Sequence, residues 1–207
     1  LVELHYASDL GLLRKFLLEA EESRAGDSHA AASVRIRRDF ADTDPGSLSR
    51  VQARALELLR AHTKEMEEKY KVPVMVCDSV EEAVKGAEII CTVTPSKEPY
   101  LKAEWIAPGA HINAVGAFTP NTREIESRLM AKAKLYADQV EAMKKECGEY
   151  LIPKDEGLFG EEHITGSIGG ILAGKVPGRE SDTEITLFDA LGLAVEDVAC
   201  GRFLCRE

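Results

Sequence analysis

No apolar run in the sequence approaches the roughly 18 residues that a membrane-spanning helix needs. Residues 1–20 carry Glu3, Asp9, Arg14, Lys15 and Glu19, where a secretory leader would be apolar. Cysteine is sparse. The five, at 77, 91, 147, 200 and 205, form no C-x-x-C and no histidine-paired spacing, so neither a disulfide framework nor a metal site is indicated and a reducing, cytoplasmic setting is expected. Positive charge is in deficit. Lys and Arg number 26 against 36 Asp and Glu, a formal charge of -10 whose field repels phosphate backbones and anionic bilayers. No nucleic acid and no membrane is expected as a partner. The chain opens on Leu1 with no initiating Met, which leaves its true start open.

What is present suffices for a core. Hydrophobic residues make up 44% of the 207 and charged residues 30%, a balance suited to one domain with room for a second small one, and too short for an ordinary two-domain dehydrogenase. From Asp78 onward the sequence repeats a short β-branched apolar run, a polar turn and a helical segment. Strands are expected near 72–77, 88–93, 110–115 and 134–137, paired in parallel through crossover helices. Ser79 caps a helix over 80–85, with Glu82 at the capping-box position and Gly86 as its stop. Ahead of this, Leu10–Glu22 has the apolar spacing of a helix, 23–33 reads as a small, polar linker, Ser33–Arg37 as a strand, and about 50–70 as a long helix. The expected organisation is an irregular or helical segment over 1–33, a parallel α/β domain over 34–200 and a tail over 201–207.

In an open parallel sheet, ligands bind beyond the carboxyl ends of the strands. The turns to inspect are therefore Thr92–Ser96, Gly116–Pro120 and the one after Ala137. Thr94 offers a hydroxyl, and Gly116 lets backbone approach a flat ring; at both positions a plain chain turn is the competing reading. The dinucleotide fingerprint G-x-G-x-x-G is absent from the chain.

Residues 81–117, EEAVKGAEIICTVTPSKEPYLKAEWIAPGAHINAVGA, and 184–197, EITLFDALGLAVED, resemble the ornithine cyclodeaminase and mu-crystallin family, with REIE, LYAD, KKECGEYLIP and EEHITGSIGGILAGKVPGRESD between them in the family's order. The resemblance implies a Rossmann-like fold and NAD- or NADP-linked chemistry on a small amino acid or cyclic imine, in a homodimer. It implies cofactor contacts at Thr94, at Val115 and Gly116, and at Leu191 and Gly192, where Ala190 replaces the family's serine. Glu146, in Lys145–Glu149, resembles a substrate-side carboxylate, with a solvated helix-end glutamate as the competing reading.

The departures point within the family. Cyclodeaminases carry an acid two residues after the VG pair; here Phe118 stands there, and Thr122 takes the place of a nearby lysine. Phenylalanine transfers no proton, so the ketimine reductase branch is the closer analogy and no catalytic residue is assigned. The family's amino-terminal substrate domain and glycine-rich loop are not recognisable. Either Gln52–Arg54 is what remains of that loop and the second strand is gone, or Val34–Arg38 is the second strand and the first is missing. In the latter case Arg37 or Arg38 meets a 2′-phosphate, or Asp39 a ribose hydroxyl, unless all three are surface charge. The resulting expectation is a truncated or rearranged oxidoreductase with weakened cofactor binding, or alternatively a non-catalytic binding or assembly module.

Overall fold

The computed structural model describes residues 2–5, 34–37, 63–77, 79–94 and 96–205, which fall into two compact units, Leu1–Val93 and Thr94–Glu207. The first unit contains β1 (Val2–His5), β2 (Val34–Arg37), helical residues 63–70 (α1), β3 (Val74–Cys77), α2 (Val80–Val84) and β4 (Ile89–Thr92). Its ladder runs β3-β2-β1-β4, all parallel.

Local sequence explains the later half of this unit. Met66 and Tyr70, four apart on α1, are buried together. The carboxylate of Glu67 accepts the N–H of Val74 at 2.8 Å, tying α1 to the start of β3. Ser79 Oγ accepts the N–H of Glu82 at 3.1 Å, and the helix so begun buries Val80, Ala83 and Val84 before Gly86, at φ 69°, ends it.

Val34–Arg37 lies between β1 and β3, so it is the second strand, but the first is not missing: Val2–His5 occupies its place. The four-residue alternation V-E-L-H is too short to announce a strand by periodicity. The candidate helix Leu10–Glu22, the linker 23–33, Arg38, Asp39 and Gln52–Arg54 lie outside the described residues.

The second unit contains β5 (His111–Ala114), α3 (Ser127–Lys132), β6 (Lys134–Ala137), α4 (Val140–Glu146), α5 (Gly148–Asp155), β7 (Ile164–Ser167), α6 (Ile168–Leu172), β8 (Thr186–Asp189) and α7 (Ala194–Leu204), which runs through position 200. Its ladder is β5-β8-β6-β7, again parallel, so the last strand inserts between two earlier ones. Ile112, Leu129, Met130, Leu135, Met143, Tyr150 and Leu187 form the core. At the amino ends of β5 and β8, the His111 imidazole lies 2.8 Å from Thr186 Oγ1, which also accepts Arg179 Nη2–H at 2.9 Å. Burial holds the His111 pKa below its ordinary value. The register sets Asp189 opposite both Ala114 and Ala137, so three strands end level.

Candidate functional site

The level ends of β5, β8 and β6 put three turns side by side: Val115–Gly116, Ala190–Gly192 and Asp138. Thr94 opens the same unit and is drawn to the first of these turns by a single side chain. Glu124, fully buried, accepts the N–H of Thr94 at 2.5 Å and Tyr100 Oη–H at 2.7 Å on Oε1, and the N–H of Gly116 at 3.1 Å on Oε2. Backbone reinforces the contact, because Tyr100 and Leu101 donate to Glu124 O at 2.8 and 2.9 Å and Arg123 donates to Ser96 O at 3.0 Å. The second turn has its own acid. Asp138, 7% exposed, accepts the N–H of Gly192 at 2.8 Å on Oδ2 and that of Gln139 at 2.5 Å on Oδ1.

Thr94, Val115, Gly116 and Leu191 are half-buried and Gly192 is exposed, all at the carboxyl edge of the unit. The structure thus gathers the five positions singled out in the sequence. It also shows what the glycine at 116 accommodates: a Cβ there would overlap the backbone of Thr94 and stand 2.7 Å from Glu124 Oε1. The close approach is between two turns of the protein itself.

Glu146 is exposed at the end of α4. The buried acid of that segment is Glu149, whose carboxylate accepts the N–H groups of Glu124 at 2.5 Å and Ile125 at 3.2 Å. Between them Cys147 donates its thiol proton to Asp189 Oδ2 at 3.2 Å, while Asp189 Oδ1 has no hydrogen-bond partner. Four buried carboxylates, Glu124, Asp138, Glu149 and Asp189, therefore sit beneath the turns, held by N–H, O–H and S–H donors, and none forms an ion pair among the described residues.

Burial pushes Asp189 up to about 7, and the neighbouring charges of Asp138 and Glu124 push the same way. Burial and Asp189 likewise drive Glu149 well above the carboxylate range, and the Cys147 thiol well above its ordinary value. Cys147 is thus a hydrogen-bond donor and a poor nucleophile. Among the described residues no group of His, Cys, Asp and Glu is arranged to hold a metal ion.

Sequence reasoning points to the turn after Ala137 without singling out Asp138, and it misses the other three acids. A polar residue closing an apolar run, as in LYA-Asp138 after β6 and TLF-Asp189 at the end of β8, is the signal that could have found two of them. Phe118 is 61% exposed on the turn after β5. The backbone beyond it is pinned, because Thr122 Oγ1 accepts the N–H of Thr119 at 3.2 Å and the N–H of Gly148 donates to Thr119 O at 3.1 Å. Thr122 is therefore a fastener of this loop.

Level parallel strand ends, glycine turns and a buried acid tying two of the turns together line one edge of the unit, the edge at which open parallel sheets bind ligands. The model of the ornithine cyclodeaminase/mu-crystallin family matches residues 47–206. The chain belongs to this family. Mouse ketimine reductase mu-crystallin is 42% identical over 146 residues, 69% of this chain and 44% of that protein. The structure of Thermococcus litoralis Δ1-pyrroline-2-carboxylate reductase in complex with NADH and L-proline matches with a TM-score of 0.75 and 29% identity, over 97% of this chain and 55% of that one. An archaeal alanine dehydrogenase dimer with bound NAD matches with a TM-score of 0.73 and 31% identity, over 97% and 55%. The chain spans about half the length of these relatives. The expected family and Rossmann-like class with parallel pairing hold, and no described helix is long and apolar enough to cross a membrane.

Proposed function

We propose that the chain carries the nicotinamide side of an NAD- or NADP-dependent reductase of small cyclic ketimines, working in the cytoplasm as a homodimer, and that it is not an ornithine cyclodeaminase. The observation that carries this reading is the placement of Thr94, Val115–Gly116 and Leu191–Gly192 on one carboxyl edge, with Phe118 exposed on the turn beside Gly116. The dimer and the cofactor are supported by the archaeal alanine dehydrogenase relative and by the reductase complex with NADH.

The residues present fit the nicotinamide end of such a cofactor. The turns at 116 and 192 lie at the carboxyl edge, their N–H groups already held by Glu124 and Asp138 and the Cβ side of Gly116 filled by Thr94, so what they offer a ring is fixed backbone surface and not free donors. Val115–Gly116 and Leu191–Gly192 would flank the ring and Thr94 would offer its hydroxyl. The cofactor supplies hydride to an imine carbon when bound. The chain itself then has to hold the imine over that position and keep water away. Phe118 suits this role, because it gives apolar surface and no proton. Elimination of ammonia from ornithine, by contrast, needs a titratable group to exchange protons with the substrate amine. A cyclic imine takes its proton from water before it binds, so its reduction depends less on an enzymic acid.

The test is NADPH and NADH oxidation with Δ1-pyrroline-2-carboxylate and its six-membered homologue, run beside ornithine with NAD and assays for proline and ammonia. Ketimine-dependent oxidation without proline or ammonia from ornithine is expected. Ornithine turnover of about one per second, an ordinary enzyme rate, overturns the assignment. Cofactor binding with neither activity supports the alternative, a binding or assembly module. Phe118→Asp gives no ornithine turnover if the substrate side is also wanting.

A further inference from the structure

Burying a carboxylate without a cation is costly, and an apolar side chain would fill the place of Glu124 more cheaply if packing were its only role. Glu124 instead commits both oxygens to backbone N–H groups of two different turns, Thr94 on Oε1 and Gly116 on Oε2, with Tyr100 Oη–H as a further donor. A carboxylate offers two acceptor oxygens and no donor, so it meets N–H groups on both oxygens without a mismatch, where an amide would turn its NH2 toward one of them.

The bridge is itself held from behind. Glu149, buried in the first turn of α5, accepts the N–H groups of Glu124 and Ile125. The contact it maintains is tight, since residue 116 has no room for a side chain against Thr94 and Glu124. We propose that Glu124, supported by Glu149, is a positioning residue that sets the separation of the Thr94 and Gly116 turns and thereby shapes the seat of the nicotinamide ring. This role rests on the cofactor reading above.

The experiment measures amide exchange residue by residue by NMR, together with NADH and NADPH binding by saturation-transfer titration. Three variants of the full chain are compared with the unaltered one. In Glu124→Gln the amide nitrogen cannot accept, so one of the two N–H groups loses its partner. Glu126→Gln is the matched control: its carboxylate accepts the N–H of Ala103 at 2.9 Å, a loop contact outside the proposed seat. Tyr100→Phe removes the donor to Glu124 and with it the acceptor of the Thr94 hydroxyl at 3.4 Å, while the N–H groups of Thr94 and Gly116 keep their carboxylate, so it serves if Glu124→Gln does not fold, with exchange at the Gly116 N–H reading the Glu124 effect apart from the Thr94 hydroxyl.

Faster exchange at Thr94 and Gly116, by about tenfold or more on the scale of a lost local protection, is expected for Glu124→Gln, with several-fold weaker dinucleotide binding. Tyr100→Phe should move both in the same direction by less. Glu126→Gln should quicken Ala103 and leave binding unchanged. Unchanged affinity in both Glu124→Gln and Tyr100→Phe, where the unaltered chain binds, overturns the positioning role while the cofactor reading stands. Unchanged exchange at Thr94 and Gly116 overturns it too, as does equal weakening by Glu126→Gln. Absence of NADH and NADPH binding by the unaltered chain takes down the cofactor reading and the seat with it.

Discussion

Asp189 shows most directly how one residue's surroundings set its chemistry. It is wholly buried at the end of β8, one oxygen meets only a thiol and the other meets nothing. Its pKa of about 7 lies above that of an unfolded aspartate, so the folded state holds the proton more tightly than the unfolded one. The stability this contributes is complete below the unfolded value of about 3.9 and is lost as pH rises through about 7. Asp189→Asn keeps the shape and removes the titration. The variant should match the unaltered chain below about pH 4 and gain on it between about pH 4 and 7, at no more than about 1.4 kcal/mol per pH unit. Urea unfolding of both proteins at acid and mildly alkaline pH reads the difference directly. Parallel pH profiles for the two would contradict this account.

Between elements, the decisive contact is the one that loop 119–122 makes with the start of α5. A Cβ on Gly148 would overlap Thr122 O and stand 2.8 Å from Thr119 O and 3.0 Å from Pro120 O. Three backbone carbonyls of one loop cannot retreat independently. Gly148→Ala should therefore cost about 1–3 kcal/mol, as forced overpacking does, and should lower the denaturation midpoint accordingly. A change below about 0.5 kcal/mol, ordinary for a surface site, would show that the loop gives way. Here the residues KECGE are legible as a motif, but their arrangement is not: the motif singles out Glu146, which is exposed, whereas Glu149 is buried at the centre of the hydrogen-bonding. Which acid of a helical segment faces inward depends on the partner it packs against, and that partner is distant in sequence.

Taken whole, the chain has a formal charge of -10 and buried acids behind the turns at its carboxyl edge, while a dinucleotide is itself an anion. A pyrophosphate needs several inward N–H groups, and no G-x-G-x-x-G is present to supply them. Dinucleotide binding is accordingly expected to be weaker than micromolar, and to tighten as added salt screens the repulsion. Calorimetric or fluorescence titration of NADH and NADPH at low and moderate ionic strength measures both effects. A micromolar dissociation constant at low salt would show that the charge is compensated at the site.

Composition and periodicity alone determined the α/β class, the strands around 74–77, 89–92, 111–114 and 134–137, and the capped helix after Ser79, because each is a local pattern of burial or of hydrogen-bonding chemistry. They also pointed to the turns to inspect, since ligands gather where parallel strands end. Three strands escaped: the first, Val2–His5, the edge strand Ile164–Ser167 and the inserted strand Thr186–Asp189. The first is too short to show a period, the second, I-T-G-S, carries a single large apolar residue, and the third is mostly buried and ends in an acid, so it does not alternate. Asp138 and Asp189 can be flagged in the sequence as polar residues closing apolar runs, but what the buried acids bind was decided only by tertiary structure. Glu124 meets Gly116 and Thr94 across 8 and 30 residues of chain, and Asp138 meets Gly192 across 54. Whether a carboxylate is solvated or becomes the clamp of two turns depends on which distant N–H groups the fold brings to it, and no local pattern carries that.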